Sequence, residues 1–243
     1  MAKARQFRKA FKISDSLNRQ LNTYAQVASA AGVSVLALAG TSEAKVIYTE
    51  TYQMTRTSFP LFIDLNHDGI RDFLLCTNFY QGSSGLEIGL SAVGYRNTNN
   101  VVAGRRSSTG SGYFFSVASA LRVGARIGPR GNFSVRFPFM AVELFNGDGS
   151  QYSYRGEWAG EGEGVQDRYL GLKFVISGEV HYGWARLSVT VGHERHFDDV
   201  SGTLTGYAYE TVPGKPIIAG QITGPDVITL RPETLGGLAL GRK

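Results

Sequence analysis

FPLFIDLNHDGIRDFLLCT, residues 59–77, places an acidic loop between two short apolar runs. Oxygen-bearing side chains occupy positions 1, 3, 5 and 9 of the loop from Asp64 to Asp72, and glycine occupies position 6. This spacing is typical of a loop that wraps around one calcium ion, which takes roughly six to eight oxygen ligands. The predicted ligands are Asp64, Asn66, Asp68, the carbonyl of Ile70, and Asp72 either directly or through water.

The flanks of this loop predict strands rather than helices. An EF-hand would place glutamate at position 12, where this chain has Leu75. The runs 59–63 and 73–76 are aromatic, branched and of strand length, so the loop is predicted to join two strands. A turn without metal is the alternative, because Asp, Asn and Gly favour turns by themselves.

Two resemblances follow from these and later residues. The loop resembles the D-x-[DN]-x-D-G-x-x-D loops of dockerins, thrombospondin type 3 repeats and FG-GAP propeller repeats, which over nine residues implies the ion alone. YLGLKFVISGEVHYGWARLSV (169–189) and LTGYAYETVPGKPIIAG (204–220) resemble the closing region of uncharacterised exported bacterial proteins that often carry PEP-CTERM-type sorting tails. AKVIYT (44–49) adds weaker support. The second resemblance implies export and a β fold, with no activity attached.

Residues 1–44 predict a secretory signal helix that is cleaved after Ala44. A basic segment precedes the apolar, small-residue run Tyr24–Gly40, and a small-x-small site ends it. A membrane anchor or a buried helix is the alternative, but the run is shorter than the about 20 apolar residues of a spanning helix. The mature chain is therefore predicted to have no transmembrane span.

The charge of the chain lies mostly in this leader. The whole chain has net charge +5, and residues 1–44 hold six Lys or Arg against two Asp or Glu, so the remainder carries +1. A nucleic-acid partner would need a basic patch in the mature domain, and the remaining charges are interspersed. The sequence therefore predicts no nucleic-acid binding.

The remaining chain predicts an all-β fold. Its 31 glycines and short alternating segments indicate many strands separated by turns. We expect a single antiparallel β-sandwich of jelly-roll type over residues 45–220, and then an extended tail, 221–243, as a degenerate sorting signal. A propeller is the rival fold, but its blades repeat and the acidic loop occurs once.

Individual strands are also predicted from alternation and turn residues. The strongest hairpin alternates from Leu170 to Ile176, turns at Ser177–Gly178 and returns through Val180, Tyr182 and Trp184. Further strands are expected over 86–93 and 204–211, a hairpin turn at 146–149, and a strand end or sheet edge at Pro138. The period of residues 119–128 fits a helix or a strand equally.

Three other groups of side chains have residue types that can form a chemical site. Glu157, Glu161, Glu163 and Asp167 lie in a glycine-rich segment, and glycoside hydrolysis needs two carboxylates at a fixed separation, so a solvated loop or a weak second cation site is favoured. The histidines of 193–199 lack H-E-x-x-H spacing and indicate a solvated loop. His181, Tyr182 and Trp184 fit a sugar-binding platform or core packing. Cys76, the single cysteine, excludes an intramolecular disulfide and reads as a core residue.

These features predict a secreted calcium-binding protein with a non-catalytic binding or structural role at the cell surface or in the extracellular matrix. Carbohydrate or a cell-surface polymer is the expected ligand class. A secreted polysaccharide hydrolase or lyase is the alternative. The sequence assigns no role to loops 97–112 and 155–168 and no oligomeric state.

Overall fold

The structure is a computed structural model that describes residues 44–55, 59–82, 85–95, 98–108, 114–133, 137–146, 148, 150–192 and 200–231. These residues form strands and connecting turns, with a single 3-10 turn at Gly160–Gly162 as the helical element among them. The strands are β1 (Val46–Met54), β2 (Leu61–Ile63), β3 (Phe73–Gly82), β4 (Gly85–Gly94), β5 (Val101–Val102), β6 (Gly104–Ser108), β7 (Phe114–Ala118), β8 (Arg126–Ile127), β9 (Phe139–Asn146), β10 (Gln151–Arg155), β11 (Val165–Ile176), β12 (Glu179–Val191), β13 (Val200–Glu210), β14 (Ile217–Ile218) and β15 (Val227–Leu230).

The strands form two large sheets and a short ribbon. The six-stranded sheet has the spatial order β15-β1-β13-β12-β11-β5. The seven-stranded sheet has the order β2-β3-β4-β9-β7-β6, and β10 pairs with β9. The ribbon consists of β8 and β14. The predicted all-β class is therefore confirmed.

The β11–β12 hairpin shows how local sequence sets the register. Ser177 and Gly178 have φ values of 51° and 88°, the left-handed conformation that a tight two-residue turn requires. The turn pairs Ile176 with Glu179 and brings Gly171 opposite Trp184. The predicted hairpin is thus confirmed, as are the strands at 86–93 and 204–211.

One hydrophobic core lies between the two large sheets. Leu172 and Phe174 from β11 and Leu187 from β12 belong to the same buried cluster as Leu75 and Leu90 of the seven-stranded sheet. All five side chains are fully buried, as expected for alternate residues that face inward on both sheets. The sheets therefore share a core in the manner of a sandwich.

A second core covers the other face of the six-stranded sheet. Tyr182 and Trp184 of β12 pack there with Ile127 of β8 and Ile217 of β14. Residues 119–128, for which helix and strand were both open, form turns that lead into the short strand β8. The six-stranded sheet is thus buried on both faces around Tyr182 and Trp184, and its outer face is more open farther along β12, where Thr190 is exposed.

Two pairs of named strands are parallel rather than antiparallel. β15 lies parallel to β1, with Val46 opposite Val227, and β7 meets β9 in parallel at Val117 and Phe139. A jelly roll is not confirmed by this order. β15 also continues the sheet past residue 220, where the predicted domain ended. The predicted signal helix, apart from Ala44, and residues 232–243 lie outside the described residues.

The remaining turn predictions can be located in the sheets. β9 begins at Phe139, directly after Pro138, and it pairs with β10 across the predicted 146–149 turn. None of the residues that the structure describes forms a helix with the length and hydropathy needed to cross a bilayer.

Candidate functional site

The acidic loop connects β2 to β3 at one end of the seven-stranded sheet. Ile63 and Phe73 form the last strand pair, and the main-chain N–H of Asp72 donates to the carbonyl of Ile63 over 2.8 Å. Gly69 has φ of 85°, and a Cβ added there would meet no other atom. Glycine is therefore favoured at this position by the backbone conformation and not by crowding. The predicted strand-loop-strand arrangement is confirmed.

Two buried oxygens in the first half of the loop have no hydrogen-bond donor. Asp64 accepts from the Gly69 N–H through Oδ2 at 2.9 Å, but its Oδ1 is buried without a partner. Oδ1 of Asn66 is also buried without a hydrogen-bond partner. Buried acceptors are nearly always paired in folded proteins, so two in one loop require an explanation.

Asp68, by contrast, is engaged within the loop. Its Oδ1 accepts from the Ile70 N–H at 2.8 Å, and its Oδ2 accepts from the Asn66 amide at 2.9 Å. Asp68, Gly69 and Ile70 are exposed, and they form the outer tip of the loop.

Asp72 connects the loop to the opposite sheet. It is buried, its Oδ2 accepts from the Leu65 N–H at 2.8 Å, and its Oδ1 accepts from the Asn100 amide at 3.1 Å. Oδ1 of Asn100 in turn accepts from the N–H of Val175, in β11 of the six-stranded sheet, at 3.1 Å. The last predicted ligand is therefore part of a bridge between the two sheets, a role that its spacing did not predict.

His67 provides a second connection to the six-stranded sheet. Its Nε2 lies 2.8 Å from the hydroxyl of Thr49 in β1, and its ring stacks on Tyr207 of β13 with centroids 5.8 Å apart. Sequence reasoning assigned no role to His67 or Asn100. The sequence signal that could have drawn attention to His67 is an aromatic, polar residue inside a loop of small acidic ones.

Burial disfavours charge on the loop. It raises the pKa of Asp72 to about 7, with the nearby carboxylates of Asp64 and Asp68 adding to the rise and the Leu65 N–H opposing it. Burial also raises the pKa of Asp64 and lowers the pKa of His67. Without a bound cation, ionising these carboxylates costs free energy, because they are buried and lie near each other. A cation would offset that cost.

Because of this cost, the stability of the protein in chelator is predicted to depend on pH. The folded-state pKa of Asp72, about 7, exceeds the 3.8 of an unperturbed aspartate. Between these values the folded state binds a proton that the unfolded state has lost, so stability falls as pH rises. We expect Asp72 to contribute a fall on the order of 2 kcal/mol between pH 5 and pH 8 in urea unfolding.

Asp72→Asn is the matched variant for this measurement. It removes the titration, while the lowered pKa of His67, which acts in the opposite direction, stays in both proteins. The parent is expected to show the steeper decline with pH. Identical slopes would show that Asp72 is ionised across the whole range and would contradict the prediction.

The carboxylates of the loop do not converge as a ready site. Across the part of the chain that the structure describes, no group of three or more His, Cys, Asp or Glu side chains is placed to hold a metal. The reason is visible in the loop: Asp68 and Asp72 accept hydrogen bonds from their neighbours, whereas Asp64 and Asn66 keep open oxygens. A cation would have to replace part of these hydrogen bonds.

In the acidic segment from Glu157 to Asp167, the carboxylate of Glu157 makes structural contacts. Glu157 accepts from Arg105 Nε at 3.0 Å and from the Ala120 N–H at 3.0 Å, so it fastens two other segments. Glu161 and Glu163 are exposed at the 3-10 turn. The structure therefore gives Glu157 a bracing function, with its two oxygens each occupied.

The aromatic group in β12 belongs to the interior. His181 and Tyr182 are each 5% exposed and Trp184 is 0% exposed, so core packing explains them and a surface platform does not. Nδ1 of His181 lies 3.0 Å from the carbonyl of Glu210. Cys76 is half-buried, with Asn78 Nδ2 at 3.5 Å from its sulfur. The histidine-rich segment 193–199 lies outside the described residues.

Comparison with protein-family models, with curated proteins and with solved structures gave no match.

Proposed function

We propose that this protein is an exported calcium-binding β protein with a non-catalytic binding or structural role at the cell surface or in the extracellular matrix. Carbohydrate or a cell-surface polymer is the ligand class in this proposal. One observation carries it: the buried Oδ1 atoms of Asp64 and Asn66 have no donor, although the other carboxylate oxygens of the loop all accept hydrogen bonds.

The residues present fit calcium. Calcium prefers carboxylate and carbonyl oxygens, and Asp64, Asn66, Asp68, the Ile70 carbonyl and Asp72 would hold it. When bound, the ion would offset the negative charge of the loop. Because Asp72 and His67 join this loop to the six-stranded sheet, fixing the loop would brace one end of the sandwich.

A non-catalytic role is supported by the state of the acidic segment. A glycosidase holds two carboxylates at a defined separation, one of them free to act on a proton or an anomeric carbon. Glu157 instead has both oxygens committed to Arg105 and to a main-chain N–H. Export is supported by the sequence pattern of residues 1–44, and extracellular calcium is abundant enough to fill a weak site.

Calcium is expected to raise the thermal midpoint of the protein. A ligand that binds only the folded state stabilises it by mass action, and an excess of roughly tenfold over Kd gives about 3–6 °C for a chain of this size. Asp64→Ala and Asp68→Ala should each abolish the shift. The measurement is thermal unfolding in calcium and in chelator.

Asp148→Ala is the matched control for these variants. Asp148 is an exposed aspartate whose carboxylate accepts from Ser150 in the β9–β10 turn, far in sequence from the loop. It should lower the midpoint slightly and leave the calcium shift unchanged. A melting curve that is the same in calcium and in chelator would remove the calcium site from the proposal.

The non-catalytic role is tested separately with a glycan array and a polysaccharide-degradation screen on the same calcium-loaded protein. Binding without product is the expected result. Turnover that disappears in Glu161→Gln or Glu163→Gln would replace the proposal with a polysaccharide hydrolase or lyase.

A further inference from the structure

Arg71, the eighth residue of the acidic loop, is held on an aromatic support. Its guanidinium carbon lies 3.8 Å from the ring centroid of Phe62 and 5.8 Å from that of Tyr95. The two rings meet edge to face with centroids 5.4 Å apart. A guanidinium stacked in this way keeps its planar N–H edge oriented, so less freedom is lost when it binds an anion.

Arg71 forms no direct ion pair with the residues that the structure describes. Its side chain is exposed, and the described residues supply no carboxylate within 4.0 Å of it. Arg105, Lys215 and Arg231, in contrast, each form an ion pair with a glutamate. Arg71 is thus an oriented cation whose hydrogen-bonding edge is available.

The surface around Arg71 is partly apolar and faces solvent. Phe62 lies opposite Leu74, and Leu74 lies opposite Val93, on the side of the seven-stranded sheet that points away from the core. All three side chains are partly buried, and Ile70 beside them is 63% exposed. The surface therefore combines one cation with apolar side chains.

We propose that Arg71, Phe62 and Tyr95 form a binding site for a carboxylate-bearing saccharide of the uronate type. The N–H fork of an arginine matches a carboxylate in bidentate geometry, and the apolar side chains beside it suit the C–H face of a sugar ring. This inference rests on the proposed calcium-dependent binding role, and it names the ligand class and the residues.

Calcium would make this site more attractive to anions. The loop contains three aspartates besides Arg71, so its net charge is negative without a cation and neutral with a divalent one. Removing that negative charge leaves the field of Arg71 unopposed for an approaching carboxylate. We therefore expect uronate binding to weaken in chelator.

The test is calorimetric titration of the purified protein with a galacturonate trisaccharide, with maltotriose as the neutral comparison, in calcium and in chelator. The uronate should bind in calcium and maltotriose should not. Arg71→Gln should weaken binding about fivefold or more, and Arg71→Lys, which keeps the charge and loses the fork, should weaken it less. Arg126→Gln, an exposed arginine of β8 on the opposite side of the sandwich, is the control and should leave affinity unchanged.

Three outcomes would overturn the site. These are equal affinity of Arg71→Gln and the parent, an equal loss in Arg126→Gln, and equal binding of sodium sulfate and the uronate. The calcium-induced thermal shift of Arg71→Gln is recorded on the same samples. That shift should be retained, because Arg71 is not a proposed calcium ligand. In the parent protein, a calcium shift without uronate binding refutes the saccharide site alone, whereas the absence of any shift refutes the calcium site.

Discussion

Replacing Trp184 with alanine is expected to lower the free energy of unfolding by about 3–5 kcal/mol, the range for truncating a buried large aromatic residue. Trp184 is 0% exposed, and its ring lies 5.2 Å from that of Tyr169 and 5.8 Å from that of Tyr48. It fills the second core, between the six-stranded sheet and the β8–β14 ribbon. Urea unfolding measures the loss, and Trp184→Phe keeps a folded variant available because it leaves a smaller cavity.

Tyr52→Ala provides the comparison for an exposed aromatic residue. Tyr52 lies in β1 with 75% of its surface exposed, so its removal should change stability by less than about 0.5 kcal/mol. If Trp184→Ala unfolded like Tyr52→Ala while saccharide binding disappeared, β12 would carry a sugar platform rather than a core residue. That result would also challenge Arg71 as the binding residue.

The strands near each other in sequence could be predicted because their signals are local. Alternation from Leu170 to Ile176, a turn at Ser177–Gly178 and alternation on the return together determine one register. The apolar flanks of the acidic loop likewise determine the β2–β3 pair. These predictions need no knowledge of distant residues.

Pairing over long separations could not be predicted in the same way. β1 pairs with β13 at separations from 149 residues (Met54 with Thr203) to 164 residues (Val46 with Glu210), and with β15 in parallel. Nothing in the alternation of residues 46–54 specifies either neighbour, since any strand with a matching apolar face would satisfy it. The same limit left residues 119–128 open, because their conformation depends on the sheet face that they cover.

Alternation also shows which residues share a face without showing whether that face is covered. Tyr182 and Trp184 were correctly placed together on one side of β12. That side is buried because the β8–β14 ribbon packs on it, and the ribbon consists of two strands of two residues each. Core packing and a surface platform therefore fit the sequence equally until the cover is known.

In the candidate site, too, local features could be predicted and distant contacts could not. The spacing from Asp64 to Asp72 identifies the oxygen-bearing residues of the proposed calcium loop, because such spacing is a local feature of the sequence. Asn100, which binds Asp72, lies 28 residues away in a polar stretch with nothing to distinguish it from its neighbours. The residues that attach the loop to the opposite sheet were therefore missed.

Asn100→Ala is expected to lower the free energy of unfolding by about 2–4 kcal/mol, since it leaves buried hydrogen-bonding groups without partners. Asn100 is 5% exposed; its amide donates to Oδ1 and to the carbonyl of Asp72, and its oxygen accepts from the Val175 N–H. Removing this side chain also leaves Oδ1 of Asp72 without its hydrogen bond from Asn100, so Asp72 is held less firmly. The expected calcium-induced rise in thermal midpoint should therefore be smaller. Urea unfolding and thermal unfolding in calcium and in chelator measure both effects.

Asn78→Ala is the matched control, because Asn78 is exposed and makes only 3.5 Å contacts to Cys76 and Ser91. It should change stability by less than about 0.5 kcal/mol and leave the calcium shift intact. Asn100→Asp sharpens the test, since it keeps an acceptor for Val175 but brings a second carboxyl group against Asp72. Between pH 5 and pH 8 the free energy of unfolding should fall further in Asn100→Asp than in the parent. The reason is that the two carboxylates repel each other once both are ionised. If Asn100→Ala cost no more than Asn78→Ala, the bridge from the acidic loop to β11 would not hold the sheets together.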